Sequence, residues 1–331
     1  MWSNMWKKGH GFWLGAAIAL FFTIFFFRGA ELRAMVQAVA GANYYLVVPA
    51  VAAYFVGVWL RALRWRFFLA PLGRFSTHRL FSPVVIGFAI NNILPGKVGL
   101  VARAYIVGER EKISKVASGT SIIVDQLFDG VALLFFVAVV SVFVPLPGWA
   151  RGIVTGVSIV YFGLLAVFWL MVSFPKTANG LVSPVHRRLS PFWQARVTEW
   201  IELGLTGLRT LRSPGRIAVV FLVSTLVWVM ESVMFYLMAL AFHLDLSFYM
   251  VVLVVAIANM ALIVPSAPGG IGPFEYFGKE TLLVLKVTES VATAYMVVAH
   301  LVLLFPVTLL GLFLLWRARR PIGEVTAWRQ E

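Results

Sequence analysis

The sequence predicts an all-α fold, a polytopic integral membrane bundle of helices. Three observations predict it. Of the 331 residues, 61% are hydrophobic and 13% are charged, about half the charged share of a soluble domain. The apolar residues come in long blocks near the ~20 residues that cross a bilayer, where each helix satisfies its own backbone. Basic residues gather between the blocks, as they do in loops kept in the cytoplasm.

The first block, Phe12–Phe27, follows Lys7 and Lys8 and precedes Arg28, Glu31 and Arg33. No small-residue cleavage pattern directly follows it, so a retained span is expected rather than a signal peptide. Further full-length blocks are Tyr44–Leu60, Ser118–Val144, Ile153–Phe174, Ile217–Phe242 and Ser290–Trp316. Two stretches are shorter and end in Pro and Gly, Leu80–Leu94 and Phe248–Val264. If both are re-entrant hairpins, every loop obeys the positive-inside tendency. Lys7 and Lys8, then Arg61, Arg64, Arg66, Arg74 and Arg79, then the cluster Lys97–Lys115, the loop Lys176–Arg216 and finally Arg317, Arg319 and Arg320 all face the cytoplasm. Both termini are then cytoplasmic, and an inner (plasma) membrane is the expected location.

One transmembrane domain is expected over residues 1–331, with a first half at about 44–144 and a second at about 217–316. In the connector 175–216, Val197, Trp200, Ile201, Leu205, Leu208 and Leu211 recur at helical spacing, which suits an interfacial helix or an ordinary cytoplasmic connector. Gly11-x-x-x-Gly15 and Gly152-x-x-x-Gly156 suit close helix packing. Trp2, Trp6, Trp13, Trp149 and Trp316 lie near span ends, where interfacial belts form.

The net charge is +14 and there is no Cys. In a membrane protein that excess belongs to cytoplasmic loops and to anionic lipid headgroups, so nucleic acid is not an expected partner. Disulfides, thiolate catalysis and Cys-based metal sites are excluded.

A short self-similarity links the two halves. Pro95-Gly96-Lys97-Val98-Gly99 resembles Pro268-Gly269-Gly270-Ile271-Gly272, each after a short apolar stretch with Asn (Asn91 and Asn92; Asn259). On the topology above the two turns open to opposite sides, the arrangement of an inverted-topology repeat. Discontinuous helices in matching places of two halves point to a transporter's binding site, because lipid leaves their exposed peptide groups unsatisfied. The competing reading is that both turns end ordinary loops.

Ionisable residues inside apolar blocks cost at least a few kcal/mol and mark functional candidates. Asp125 and Asp129 lie four apart on one helix face. Glu231 sits mid-block, Arg103 lies four residues past Gly99, Glu275 follows the second turn and His300 lies in the last block. Arg103, Lys97, Asp125, Asp129 and Glu275 are expected to line one central polar cavity. A Glu275–Lys279 pair at i,i+4 spacing is the structural alternative, and His300 reads as hydrogen-bonded glue.

At these residues the sequence resembles a family. Leu63-Arg64-Trp65-Arg66, Asn92-x-x-Pro95-Gly96-x-x-Gly99-x-x-x-Arg103, Asp125-x-x-x-Asp129-Gly130 and Pro268-Gly269-Gly270-Ile271-Gly272-x-x-Glu275 are similar to the flippase-like transmembrane domain of lysylphosphatidylglycerol synthases. The resemblance runs from about Tyr44 to Leu315. It implies movement of an anionic or aminoacylated phospholipid, or another lipid-linked substrate, between leaflets, and it supports Arg103, Asp129 and Glu275 as site residues, with Arg64 and Asn92 joining through its motifs. The family's soluble aminoacyl-transferase domain has no room here. Leu100 stands where the family often has Glu, and Asp125-Gln126 where Glu-Arg is usual, which implies a lost or rearranged ion pair.

No Gly-x-Ser-x-Gly turn, His-Glu-x-x-His or phosphate loop is present, so no catalytic residue, cofactor or metal is expected and the chain reads as a non-enzyme. The alternatives are an intramembrane transferase on a lipid-linked substrate and a non-catalytic accessory subunit. Membrane phospholipids with anionic headgroups are the expected partners, beside a second copy of the chain or a lipid-modifying enzyme.

Overall fold

The computed structural model describes residues 10–173, 214–263 and 267–318, with the side chains of 10–16, 168–173 and 214 outside the description. All its regular structure is helical. In chain order the helices are α1 (His10–Phe27), α2 (Leu32–Ala40), α3 (Val47–Leu69), α4 (Thr77–Ile93), α5 (Val98–Glu111), α6 (Lys115–Val140), α7 (Gly148–Ser173), α8 (Pro214–Ala241), α9 (Phe248–Met260), α10 (Pro273–Val284) and α11 (Glu289–Arg317). Five of these stretches are long and apolar enough to cross a membrane: Tyr44–Leu69, Lys115–Val140, Gly148–Val167, Gly215–Ala241 and Glu289–Arg317. The described part of the first block, Ala17–Phe27, is a shorter apolar helix. Lys7, Lys8, Arg319, Arg320 and the expected interfacial helix lie outside the described residues.

Local chemistry sets several boundaries. Ser76 Oγ accepts from the Arg79 N–H at 3.3 Å and Ser114 Oγ from the Ala117 N–H at 3.3 Å, capping α4 and α6. Pro83 and Pro306 lie inside α4 and α11, positions that membrane helices tolerate because neighbours re-satisfy the backbone.

α6 is central and packs on α3, α5, α7, α8 and α9; 61% of its most apolar window is buried against protein, against 11% for α7, which lies at the periphery. α3 packs along α8, and α11 packs on α4, α2, α10, α3 and α8. One face of α11 carries Leu301, Phe305, Leu309 and Phe313, all exposed and all four residues apart. An apolar stripe of that kind suits hydrocarbon and not water.

Both short stretches end where the sequence places Pro and Gly. After α4 the chain breaks at Leu94–Lys97 and returns as α5, and the two helices fold against each other as an antiparallel hairpin. A Cβ on Gly99 would collide with the Gly87 carbonyl, so only glycine permits this approach. The Gly99 N–H donates to Asn91 Oδ1 at 2.7 Å, satisfying one orphan donor at the start of α5. The second break, between α9 and α10, turns through Gly269, Gly270 and Gly272 at φ +71°, +82° and +100°, a left-handed path that a side chain resists.

Three sequence expectations are corrected. The basic group after Leu60 is not a loop: α3 continues to Leu69, with Arg61 and Arg64 8% and 0% exposed, because buried carboxylates neutralise them. Glu275 does not pair with Lys279, whose Nζ instead reaches Glu289 at 2.9 Å and the Phe25 and Arg28 carbonyls, tying α1 and α10 to α11. Gly152 and Gly156 meet no atom within 4 Å among the described residues, so no described helix packs closely there, while Gly11 and Gly15 lie outside the described side chains.

Candidate functional site

Six ionisable side chains from four helices form one buried network. Arg61 and Arg64 come from α3, Arg103 from α5, Asp125 and Asp129 from α6 and Glu231 from α8. The three-residue step from Arg61 to Arg64 faces the four-residue step from Asp125 to Asp129, so the two helices present matching charges along one seam.

Arg64 is fully buried. Its Nε donates to Asp125 Oδ1 at 2.7 Å, its Nη1 to Asp129 Oδ1 at 2.7 Å and to Ser224 Oγ at 3.0 Å, and its Nη2 to Asp129 Oδ2 at 3.0 Å. Arg61 bridges Asp129 at 3.1 Å and Glu231 Oε2 at 2.9 Å. Arg103 donates to Asp125 Oδ2 at 3.1 Å and stacks on the Trp65 ring at 3.8 Å, leaving its Nε and Nη2 without hydrogen-bond partners among the described residues. Asn259 of α9 donates to Glu231 Oε1 at 3.1 Å, and Gln126 to Asp129 Oδ2 at 3.4 Å. Three cations match three carboxylates. Left unpaired, six charges at about 3 kcal/mol each would cost on the order of 18 kcal/mol, more than the about 5–15 kcal/mol of a whole domain's stability. Pairing is therefore a condition of folding here.

The network forms one wall of a cavity of about 900 Å³, near the top of the ~300–1,000 Å³ range of small-molecule sites. Arg61, Asp129 and Glu231 face it, and so do both chain breaks, at Leu94–Lys97 and at Ala267–Gly270. The breaks approach each other across it: Gly269 lies beside the Asn92 carbonyl, while the Asn92 amide donates to Thr308 Oγ1 of α11 at 2.9 Å. The polar features are set among Phe88, Leu133, Tyr161, Trp228 and Leu304.

The expected site residues therefore divide. Lys97, Asn92, Asp129, Glu231, Pro95, Gly96, Pro268, Gly269 and Gly270 line the cavity; Arg64, Arg103 and Asp125 stand behind its wall, and Gly99 and Gly272 support the breaks. Glu275 does not line it but contacts His300, which does: His300 Nδ1 lies 2.6 Å from Glu275 Oε1, with the imidazole against the Phe274 ring at 4.3 Å between centroids. The other oxygen of Glu275 accepts the Gly272 N–H at 2.8 Å, capping α10. Lys97 is exposed at φ +54° and pairs with no carboxylate among the described residues. Leu100 lines the cavity without a charge, and Asp125 beside Gln126 is held by Arg64 and Arg103. Sequence reasoning missed Arg61 as a site residue, together with Trp228 and Tyr161. For Arg61 the signal was its three-residue spacing from Arg64 opposite the aspartates.

Comparison with known proteins agrees with this architecture. The chain matches the lysylphosphatidylglycerol synthase TM region over residues 12–311. It is 25% identical to a UPF0104 membrane protein of Methanothermobacter thermautotrophicus across 80% of this chain and 83% of that one. A UPF0104 membrane protein of Pyrococcus horikoshii is 21% identical across 88% and 92% of the two chains. Glycosyltransferase AglD of Haloferax volcanii is 25% identical across 81% of this chain and 48% of its own length. The chain is a multi-pass membrane protein, and it belongs to the lysylphosphatidylglycerol synthase TM-region family.

Proposed function

We propose that this chain is a flippase-like lipid transporter that moves an anionic or aminoacylated phospholipid, or another lipid-linked substrate, between leaflets. The observation that carries the reading is the cavity itself, walled by two broken helices and a balanced charge network. In this reading the α4–α5 and α9–α10 units are re-entrant hairpins of an inverted-topology repeat, the termini are cytoplasmic and the membrane is the inner (plasma) membrane.

Transport needs a polar path for a headgroup and an apolar one for the acyl chains. The wall network is charge-neutral, so preference for an anion comes from groups outside it. Lys97 has no carboxylate partner among the described residues, and the positive end of α5 lies at its break. Each suits phosphate oxygens. The polar wall also argues against a purely accessory subunit.

Proteoliposomes test this, with acyl-labelled phosphatidylglycerol, its lysyl ester and phosphatidylethanolamine compared by chemical quenching of the outer leaflet. The expected result is faster exchange of one of the first two over empty vesicles; background rates for all three reject the reading. A transferase acting on a lipid-linked substrate is the second reading, favoured by the similarity to a protein named as a glycosyltransferase. A covalently modified lipid product, found by mass, would select it.

A further inference from the structure

Four carboxylates are buried among the described residues: Asp125, Asp129, Glu231 and Glu275. Three of them are held by arginines, which do not deprotonate in proteins. Glu275 alone faces an imidazole, that of His300, a side chain type that can take up and release a proton. With Nδ1–H donated to Glu275 Oε1, the imidazole keeps Nε2 available, and no partner for that atom is found among the described residues. One added proton converts the pair from a net charge of −1 to zero. The Phe274 ring against His300 favours the resulting imidazolium.

The pair also touches the cavity and one of the two breaks. His300 lines the cavity, and Glu275 caps α10 through Gly272, directly after the break that forms the opposite cavity wall. Its proton state is therefore coupled to headgroup charge and to the geometry of the break.

Few other charges face the pair. On α10, Lys279 is committed to Glu289, and Tyr276 and Glu280 are the other titratable groups; on α11 there is Tyr295, hydrogen-bonded to the Phe235 carbonyl. α1 has no titratable side chain among its described ones, and α9 has only Tyr249, in its first turn. α3 supplies Tyr54 and Arg61 and α8 supplies Glu231; α2 carries Arg33, while His78 and Arg79 of α4 lie at the helix end away from the break. Across the cavity stand Lys97, Asp129 and Tyr161.

We propose that Glu275–His300 is the proton site of a proton-coupled carrier, loaded with one proton as an anionic headgroup binds and unloaded as it leaves. The inference rests on the transport reading above. Removing the pair's negative charge favours the anion, and by linkage the anion favours the proton by the same factor.

Proteoliposomes with labelled phosphatidylglycerol test it, at equal pH and under a one-unit pH gradient. At one proton per lipid the gradient drives the leaflet ratio up to about tenfold from unity, and the expected ratio in His300→Gln and Glu275→Gln is one. Exchange by the unaltered protein with a leaflet ratio of one under the gradient overturns the proton coupling and leaves the transport reading standing. No exchange under any condition overturns both. A second measurement serves if the variants move no lipid: proton uptake from weak buffer when short-chain phosphatidylglycerol binds the detergent-solubilised protein. About one proton per lipid is expected in the unaltered chain and none in either variant; uptake retained in both variants overturns the assignment to this pair.

Discussion

Arg64 meets Asp129 end-on, with Nη1 2.7 Å from Oδ1 and Nη2 3.0 Å from Oδ2. The same guanidinium gives its Nε to Asp125, so one fully buried side chain fixes both aspartates of α6 against α3. A planar fork makes this possible, and an ammonium has no equivalent geometry.

Arg64→Met should therefore leave two carboxylates short of a cation and cost about 3–5 kcal/mol, with Arg64→Lys recovering only part. Thermal unfolding in detergent measures it. A melting temperature unchanged in Arg64→Met would mean that the fork contributes nothing to the fold.

Lys97 gives the opposite separation. It holds a left-handed backbone without a carboxylate partner among the described residues, and Asn adopts that conformation more readily than Lys. Lys97→Asn should keep or slightly raise the melting temperature while slowing exchange of phosphatidylglycerol on the order of tenfold, the effect of about 1.4 kcal/mol. Undiminished exchange would remove Lys97 from the anion path.

The glycines of the breaks should differ among themselves. A Cβ on Gly96 meets nothing within 4 Å, so Gly96→Ala costs only the left-handed backbone, about 1 kcal/mol. At Gly272 the Cβ would sit 2.7 Å from the Ala19 carbonyl as well, and α1 must shift. Gly272→Ala should be the more damaging by at least about 1 kcal/mol, read from the two melting temperatures; equal losses would show that α1 yields freely.

Gly152 of α7 has open space around it among the described residues. Gly152→Ala should stabilise by about 0.5–1 kcal/mol through helix propensity alone. A loss of stability there would reveal a packing partner beyond the described residues.

The sequence announced a helical membrane protein, because apolar blocks of span length have no other stable use. It also placed both breaks, since Pro followed by clustered Gly ends a helix, whereas lone Pro83 and Pro306 do not. Asp125, Asp129, Glu231 and Arg103 stood out by their cost in an apolar setting, so much of the charged wall was legible. Its pairing was not. Arg61 reads as the start of a basic loop until Glu231, 170 residues away, is brought against it, and Glu275 reads as a cavity residue, with Lys279 as its alternative partner, until His300 and Glu289 claim one each.

What the sequence by itself determined was local: where helices run, where they must stop, and which side chains need compensation. Only the tertiary structure decided which groups supply that compensation and which of them face the cavity. The reason is physical. Helix formation and hydrophobicity act over a few residues, whereas an ion pair forms between whichever surfaces packing brings together.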